Sequence, residues 1–491
     1  MGVWLMRKTS NPPLQVTDTS DSPLQVLHPL SQKLEAALPR RVLLLHHDAE
    51  YFRQSINTYF SGQARDVVQA AIVQPRTAGE VATAVRIIKE GYDQQSPSSH
   101  HDTDNVLFAV RGGGQAPAAS SATARGGVLI DLTHLREVAV AEDRQSVTIG
   151  AGCVWVDVLR VLDPMNLGVV GGRSAPLGVA GFALGGGISF YTPQYGLACS
   201  NIIAYEVVLA SGEIVTTTAI SHPNLWTALK GGANNFGIIT RFTMRCFPST
   251  PIWTGSVIAP GFEITKALSA FHNSVQHQAD DEADLFAAPP ITCYTYIQAQ
   301  SGFSRLWRFR STHSVRTTTS AIEENVNRDI IGQRNSFATT TIHNDLPTIL
   351  ATREVFDEVM GSMRKMKGVF FTLFMQPLLP SWTAKGDPNI LGIHDSTNTP
   401  LVIVSLSFTW ASADDDSYVE SVTRQIIEKI DAVAKANGTG HPYRYLNYCD
   451  KWQRPLEGYG EKNLQFLRKV GGEYDPDGLF QGGCIGGFKL Y

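Results

Sequence analysis

The chain lacks the features that would send it to a nucleic acid, a membrane or a metal ion. Only 18% of its 491 residues are charged, and the net charge is −4. Lys and Arg are scattered, so no basic stripe follows a phosphate backbone. No run of 18 apolar residues offers a membrane span. The cysteines, at 153, 199, 246, 293, 449 and 484, include no C-x-x-C pair, which argues against a metal site or a dithiol motif. The start, Met1 to Lys8, has too short an apolar stretch for a signal peptide, and Met6 stands where myristoylation wants Ser or Thr. The expectation is an intracellular, cytoplasmic protein with reduced thiols, in which the sequon Asn437-Gly438-Thr439 has no meaning. G-x-G-x-x-G is also missing, so no Rossmann site is expected. Oligomeric state has no signature in the chain.

What the chain does hold is clustered glycine. Arg111-Gly112-Gly113-Gly114-Gln115 follows the apolar run Val106–Val110, as a strand feeding a tight turn would. Glycine there lets backbone N–H groups approach phosphate oxygens closely. Seven glycines fall within residues 171–187, against a background of about 7%. A third cluster runs Lys230-Gly231-Gly232-Ala233-Asn234-Asn235-Phe236-Gly237. Three such clusters beside apolar strands point to a large cofactor.

The hydrophobic content, 43%, suits two or three domains. Residues 1–40, rich in Ser, Pro, Thr and Gln, read as a flexible arm. Val67–Val73, a helix capped by Thr77 and Glu80, and Val106–Val110 make a βαβ unit. Val81, Ala84, Val85 and Ile88 give that helix its apolar face. Strands follow at 128–132 and 146–151, with a pair of apolar segments at 202–218. Past Pro248-Ser249-Thr250-Pro251 the glycine density falls. Runs at 293–298, 369–375 and 401–410 alternate with helices, one of them starting at Ser417 and stopped by Asn437-Gly438. The organisation expected is a first unit at 41–250, an inserted α+β unit at 251–440 and a return at 441–491.

The matching motifs make the resemblance specific. RGGGQ at 111–115, GGVLIDL at 126–132, GGR…GVAGFALGGG at 171–187, GGANNFGI at 231–238, YLNYCD at 445–450 and YDPDGLFQ at 474–481 resemble the berberine bridge enzyme-like branch of the vanillyl-alcohol-oxidase flavoprotein superfamily. The order is most like its fungal, secondary-metabolism members. The resemblance implies an α+β fold: a bipartite FAD-binding domain of two α/β subdomains, and an inserted substrate domain whose antiparallel sheet covers the flavin. It places Gly112, Gly113 and Gly114 at the pyrophosphate, counts Arg111, Gly178, Gly181 and Ile238 among further FAD-binding residues, and sets Tyr445, Asn447 and Tyr448 beside the isoalloxazine.

The chain departs from that pattern at both covalent anchors. Gln115 stands where the family carries a flavin-linked histidine, and Ser174 where it carries a cysteine. Amide and hydroxyl lack the nucleophilicity of imidazole and thiolate, so non-covalent FAD is expected. Leu177 occupies the position that gates oxygen. The strand 401–410, expected over the flavin, has neither carboxylate nor tyrosine. Candidates for a base are therefore Tyr294 and Tyr296, which share a face at period 2, then Tyr448, and more weakly His343. The leading expectation is an FAD-dependent oxidoreductase that passes hydride from a small apolar natural-product intermediate to flavin N5, with O2 as final acceptor. The alternatives are an FAD-containing cyclase or pericyclase without net redox, and a binding protein that has lost catalysis.

Overall fold

The computed structural model describes residues 28–95, 106–255, 257–258, 261–280, 310–324, 326, 330–363, 369–393 and 398–491. Order begins earlier than the expected arm allows, because His28–Ala37 is a helix. Leu30, Leu34 and Leu38 recur at helical spacing and are buried. They pack on helix Ala78–Asp93, where Leu30 Cδ1 lies 3.5 Å from the Cβ position of Gly91. The polar residues around this leucine row hid it in the composition.

The first sheet runs in the order Val42–Leu43, Ala71–Val73, Val128–Asp131, Phe108–Arg111. Its last three strands are parallel, as a βαβ unit requires. The crossover helix Ala78–Asp93 starts where Thr77 Oγ1 accepts from Glu80 N–H at 3.1 Å. Val81, Ala84, Val85 and Ile88 form its buried face. The expected strand 67–73 shortens to Ala71–Val73, because Val67 N–H closes a turn on Ala64 O behind the short helix Gly62–Arg65.

A second, antiparallel sheet takes the order Val138–Val140, Ser146–Gly150, Ile238–Arg245, Ile202–Val208, Ile214–Thr217. Helix Ala78–Asp93 also reaches this sheet, where Arg86 Nη1 donates to Gly212 O at 3.2 Å. Both sheets share one apolar core, and Tyr443, Tyr445, Tyr459, Leu467 and Val470 of the C-terminal segment belong to it.

The third sheet is antiparallel, in the order Phe370–Leu378, Leu401–Trp410, Arg334–His343, Gly440–His441. Alternation sorts its faces. Leu373, Met375, Val402, Val404, Leu406, Phe408, Ala338 and Ile342 point to a core shared with helices Leu346–Met363 and Asp416–Ala436. Helix Asp416–Ala436 starts one residue before the expected Ser417 cap, since Ser412 caps a preceding turn through Asp414 N–H. Asn437 and Gly438 (φ 66°) end it as expected.

Two glutamines close the outer edge of strand Arg334–His343. Gln453 accepts from Thr339 N–H at 3.0 Å and donates to Thr339 O at 2.7 Å. Gln63 does the same at Asn335, accepting at 3.0 Å and donating at 2.9 Å. Each side-chain amide stands in for one residue of a neighbouring strand. The expected strand at 293–298 lies outside the described residues. Among the described residues, no helix is long and apolar enough to cross a membrane.

Candidate functional site

Strand Phe108–Arg111 ends in a buried ion pair. Arg111 Nη2 lies 2.6 Å and Nε 3.2 Å from the Asp131 carboxylate, and Nη1 donates to Ser55 O at 2.8 Å. The guanidinium sits 4.4 Å from the centre of the Tyr59 ring. Burial pushes the Asp131 carboxyl up, but the Arg111 charge and hydrogen bonds from Arg111, Thr133 and Gln74 outweigh it and hold the group below the usual carboxylate range. Burial also pushes the Tyr59 phenol up to about 12, so it stays neutral and donates to Ala122 O at 2.6 Å. Arg111, expected among the FAD-binding residues, instead turns its guanidinium inward to Asp131 and Ser55 and braces the glycine loop from behind. Gly114 takes φ 64°, with its Cβ position only 3.2 Å from Arg111 Cδ.

The loop meets the next element glycine on glycine. A Cβ on Gly113 would lie 2.5 Å from Gly178 Cα, and one on Gly178 would lie 2.7 Å from Gly113 Cα. Gly178 opens helix Val179–Leu184. On the next turn Gly181 is exposed, with nothing within 4 Å of its Cβ position. Backbone N–H groups and an absence of side chains make a cradle suited to a pyrophosphate. Not every glycine of the second cluster serves a ligand. Gly171 and Gly172 back onto Trp155, whose ring atoms would lie 2.7 Å and 2.4 Å from their Cβ positions. Among the described residues, Gln115 bonds within the loop, through Nε2 to Gly113 O at 3.3 Å. Ser174 and Leu177 are half-buried and linked by a turn, Leu177 N–H to Ser174 O at 3.2 Å. Ile238 is buried at the start of its strand, next to Gly237 with φ 153°.

Helix Val179–Leu184 spans about 9 Å at 1.5 Å per residue, and its far end meets the C-terminal segment. Asn447 Nδ2 donates to Phe182 O at 3.0 Å and to Tyr445 Oη at 3.1 Å. The Cβ position of Gly185 lies 2.1 Å from Asn447 Oδ1, so only glycine fits there. Tyr445 Oη also accepts from Ile188 N–H at 3.0 Å, and burial keeps its phenol uncharged.

Tyr448 lies on the other side of this segment, toward the third sheet. Arg173 Nη2 donates to Tyr448 Oη at 3.0 Å and to Gln376 Oε1 at 2.9 Å. The rings of Phe374, Phe337 and Tyr445 stand edge-on to Tyr448, with centroids 5.3, 6.0 and 4.8 Å away. Phe374 and Gln376 belong to the face opposite the sheet's helical core. Strand register completes that face in cross-strand rows: Phe337, Ser407, Thr372; then Thr339, Ser405, Phe374; then Thr341, Ile403, Gln376. These rows contain no carboxylate and no tyrosine, which extends to three strands what the sequence says of one.

The sequence candidates are thus partly brought together. Gly112, Gly113, Gly178 and Gly181 surround one cradle, and Tyr445, Asn447 and Tyr448 stand at the far end of the helix that leaves it. His343 ends its strand six residues from Phe337, roughly 20 Å along the sheet, and bonds Thr399 Oγ1 at 2.7 Å. Tyr294 and Tyr296 lie outside the described residues. Sequence reasoning missed Asp131, Arg173, Phe337, Phe374 and Gln376. Period-2 alternation along Phe370–Leu378 was the available signal for Phe374 and Gln376.

An open glycine cradle joined by one short helix to a tyrosine-lined wall beneath an antiparallel sheet defines an FAD-binding protein. The residues fit that group: Gly181 leaves side-chain space empty, and Gly113 and Gly178 bring the backbone close. The FAD binding domain family matches residues 69–218. An FAD-dependent monooxygenase of Fusarium proliferatum is 32% identical over 88% of this chain and 87% of its own length. One of Emericella nidulans is 31% identical over 89% of this chain and 94% of its own. Among solved structures, 6-hydroxy-D-nicotine oxidase of Arthrobacter nicotinovorans superposes with a TM-score of 0.69 at 20% identity, over 89% of this chain and 96% of that one. Glucooligosaccharide oxidase of Acremonium strictum, with 6-S-cysteinyl, 8α-N1-histidyl FAD, gives a TM-score of 0.70 at 18% identity, over 94% and 98%. This chain belongs to the family of the fungal FAD-dependent monooxygenases it matches and has the berberine bridge enzyme-like fold of FAD-linked oxidoreductases.

Proposed function

We propose that the protein oxidises a small, largely apolar natural-product intermediate between the aromatic wall and FAD, with O2 as final acceptor. The arrangement of Arg173, Tyr448 and Gln376 beneath a sheet face without carboxylates carries this reading. FAD bound in the cradle supplies a two-electron acceptor. Phe337, Phe374 and Tyr448 exclude water and hold a flat substrate. Tyr448 is the proton acceptor, its oxygen positioned by a hydrogen bond from Arg173 Nη2 at 3.0 Å. The fungal relatives named as monooxygenases support the oxidative chemistry and the use of O2.

A second reading, cyclisation without net redox, is favoured by the same bare sheet face, which leaves Tyr448 as the one base among the described residues of the wall. Mixing holoenzyme and substrate without oxygen separates the two. The oxidative reading expects the flavin's 450 nm band to bleach in step with product. Product formed under a constant flavin spectrum would overturn it in favour of the cyclase.

FAD is held without a covalent bond. Gln115 and Ser174 stand at the two anchor positions, and neither amide nor hydroxyl attacks the flavin ring. Acid precipitation of pure protein is therefore expected to release all the yellow colour into the supernatant. A pellet that stayed yellow would refute this.

A further inference from the structure

Gln376 has half of its amide accounted for. Arg173 donates to Oε1 at 2.9 Å, which fixes the orientation of the amide and leaves Nε2 as the donor. The residue is 1% exposed, and Nε2 is buried without a partner. A buried donor in that state costs about 1–3 kcal/mol, so its retention needs a reason. Among the described residues, its cross-strand row offers no acceptor beside it. The cross-strand neighbour Ile403 is apolar, and Thr341, at the end of the row, is two strands or roughly 9–10 Å away. Thr341 Oγ1 is itself without a partner, so the row ends in two unspent polar groups either side of an isoleucine. Phe374 stands two residues before Gln376 on the same face, and Arg173 ties the amide to Tyr448.

We propose that Gln376 is a specificity determinant whose Nε2 donates to a carbonyl or enolate oxygen on the edge of a planar conjugated substrate held among Phe337, Phe374 and Tyr448. This rests on the substrate-site reading above and narrows it to one chemical class. The Arg173 cation on Oε1 polarises the amide and strengthens Nε2 as a donor. It favours an oxygen with strong acceptor character over an ether or a bare ring. Hydrocarbon of the same shape fills the aromatic wall equally well but leaves the donor unpaired.

The test compares two flat bicyclic probes, coumarin with a lactone carbonyl and naphthalene without one. Binding to the oxidised holoenzyme is followed by perturbation of the flavin spectrum. Relative to the partition of the two probes from water into cyclohexane, coumarin is expected to bind at least roughly tenfold more tightly than naphthalene, the ratio for about 1.4 kcal/mol. In Gln376→Leu that preference is expected to vanish, with naphthalene binding and the ratio of flavin to protein unchanged. A ratio in the unsubstituted protein no higher than the partition ratio would overturn the proposal without any variant having to fold. So would a preference that survives in Gln376→Leu. A variant that loses FAD along with the preference would assign the acceptor to the flavin and overturn it too. Turnover is not needed, so this result is separate from that of the anaerobic test.

Discussion

Gly113→Ala is expected to give a protein that purifies colourless. Its new Cβ would sit 2.5 Å from Gly178 Cα and 2.7 Å from Gly178 N, and backbone atoms on both sides cannot rotate away as a flexible side chain could. The loop and the start of helix Val179–Leu184 must therefore part by on the order of 1 Å, the difference between this approach and an ordinary contact. Gly178→Ala meets the same wall from the other side. The ratio of 450 to 280 nm absorbance after gel filtration measures the loss. Gly181→Ala sharpens the result, because nothing of the protein lies within 4 Å of its Cβ. Alanine there favours the helix by up to about 1 kcal/mol, so the apoprotein should melt no lower than the parent. FAD should nonetheless bind at least tenfold more weakly, since the methyl enters the space kept for it. Full FAD content in both variants would show that the cradle lies elsewhere.

Asp131→Asn is expected to have the largest effect on stability. Removing one partner of a buried pair leaves Arg111 charged and uncompensated, at about 3–5 kcal/mol. The melting temperature should fall by on the order of 10 °C. Replacing both partners by apolar residues, as in Arg111→Met with Asp131→Leu, should recover most of it, because the stranded charge is then gone. The sign with pH follows from the direction of the shift. The Asp131 carboxyl is held below its unfolded value, near 3.9. Its contribution is therefore complete above that value and is lost as pH falls through the lower folded one. Melting curves taken from pH 7 downward should show the parent losing this advantage in acid while Asp131→Asn does not. A single variant that melts with the parent, or a double variant that melts well below the single, would contradict the account.

The parts of the fold legible in the sequence are those built by local rules. Thr77 and Glu80 announce a helix start, Asn437-Gly438 announces a stop, and the glycine runs announce turns that side chains cannot enter. The site was legible where one short segment carries it, as at Gly112–Gly114 and Tyr445–Tyr448. It was illegible where distant segments share a single interaction. Arg173, Gln376 and Tyr448 come from three separate segments, and only strand register brings them to one point. The reading of Arg111 shows the converse limit. Its place next to the glycines suggested a ligand contact, but Asp131, twenty positions on, draws the guanidinium inward. Trp155 likewise explains Gly171 and Gly172, which spacing alone assigned to a cofactor.

The glutamines at the edge of strand Arg334–His343 have a consequence for how the chain is made. An unpaired strand edge is a template for association with other chains. Gln63 is made long before the third sheet, but Gln453 is made only after all four of that sheet's strands. The strands can therefore pair before that amide exists, with the edge at Thr339 still open. Truncation or premature termination ahead of Gln453 would leave it permanently so, and such fragments would be sticky. The later of the two amides, that of Gln453, seals the edge.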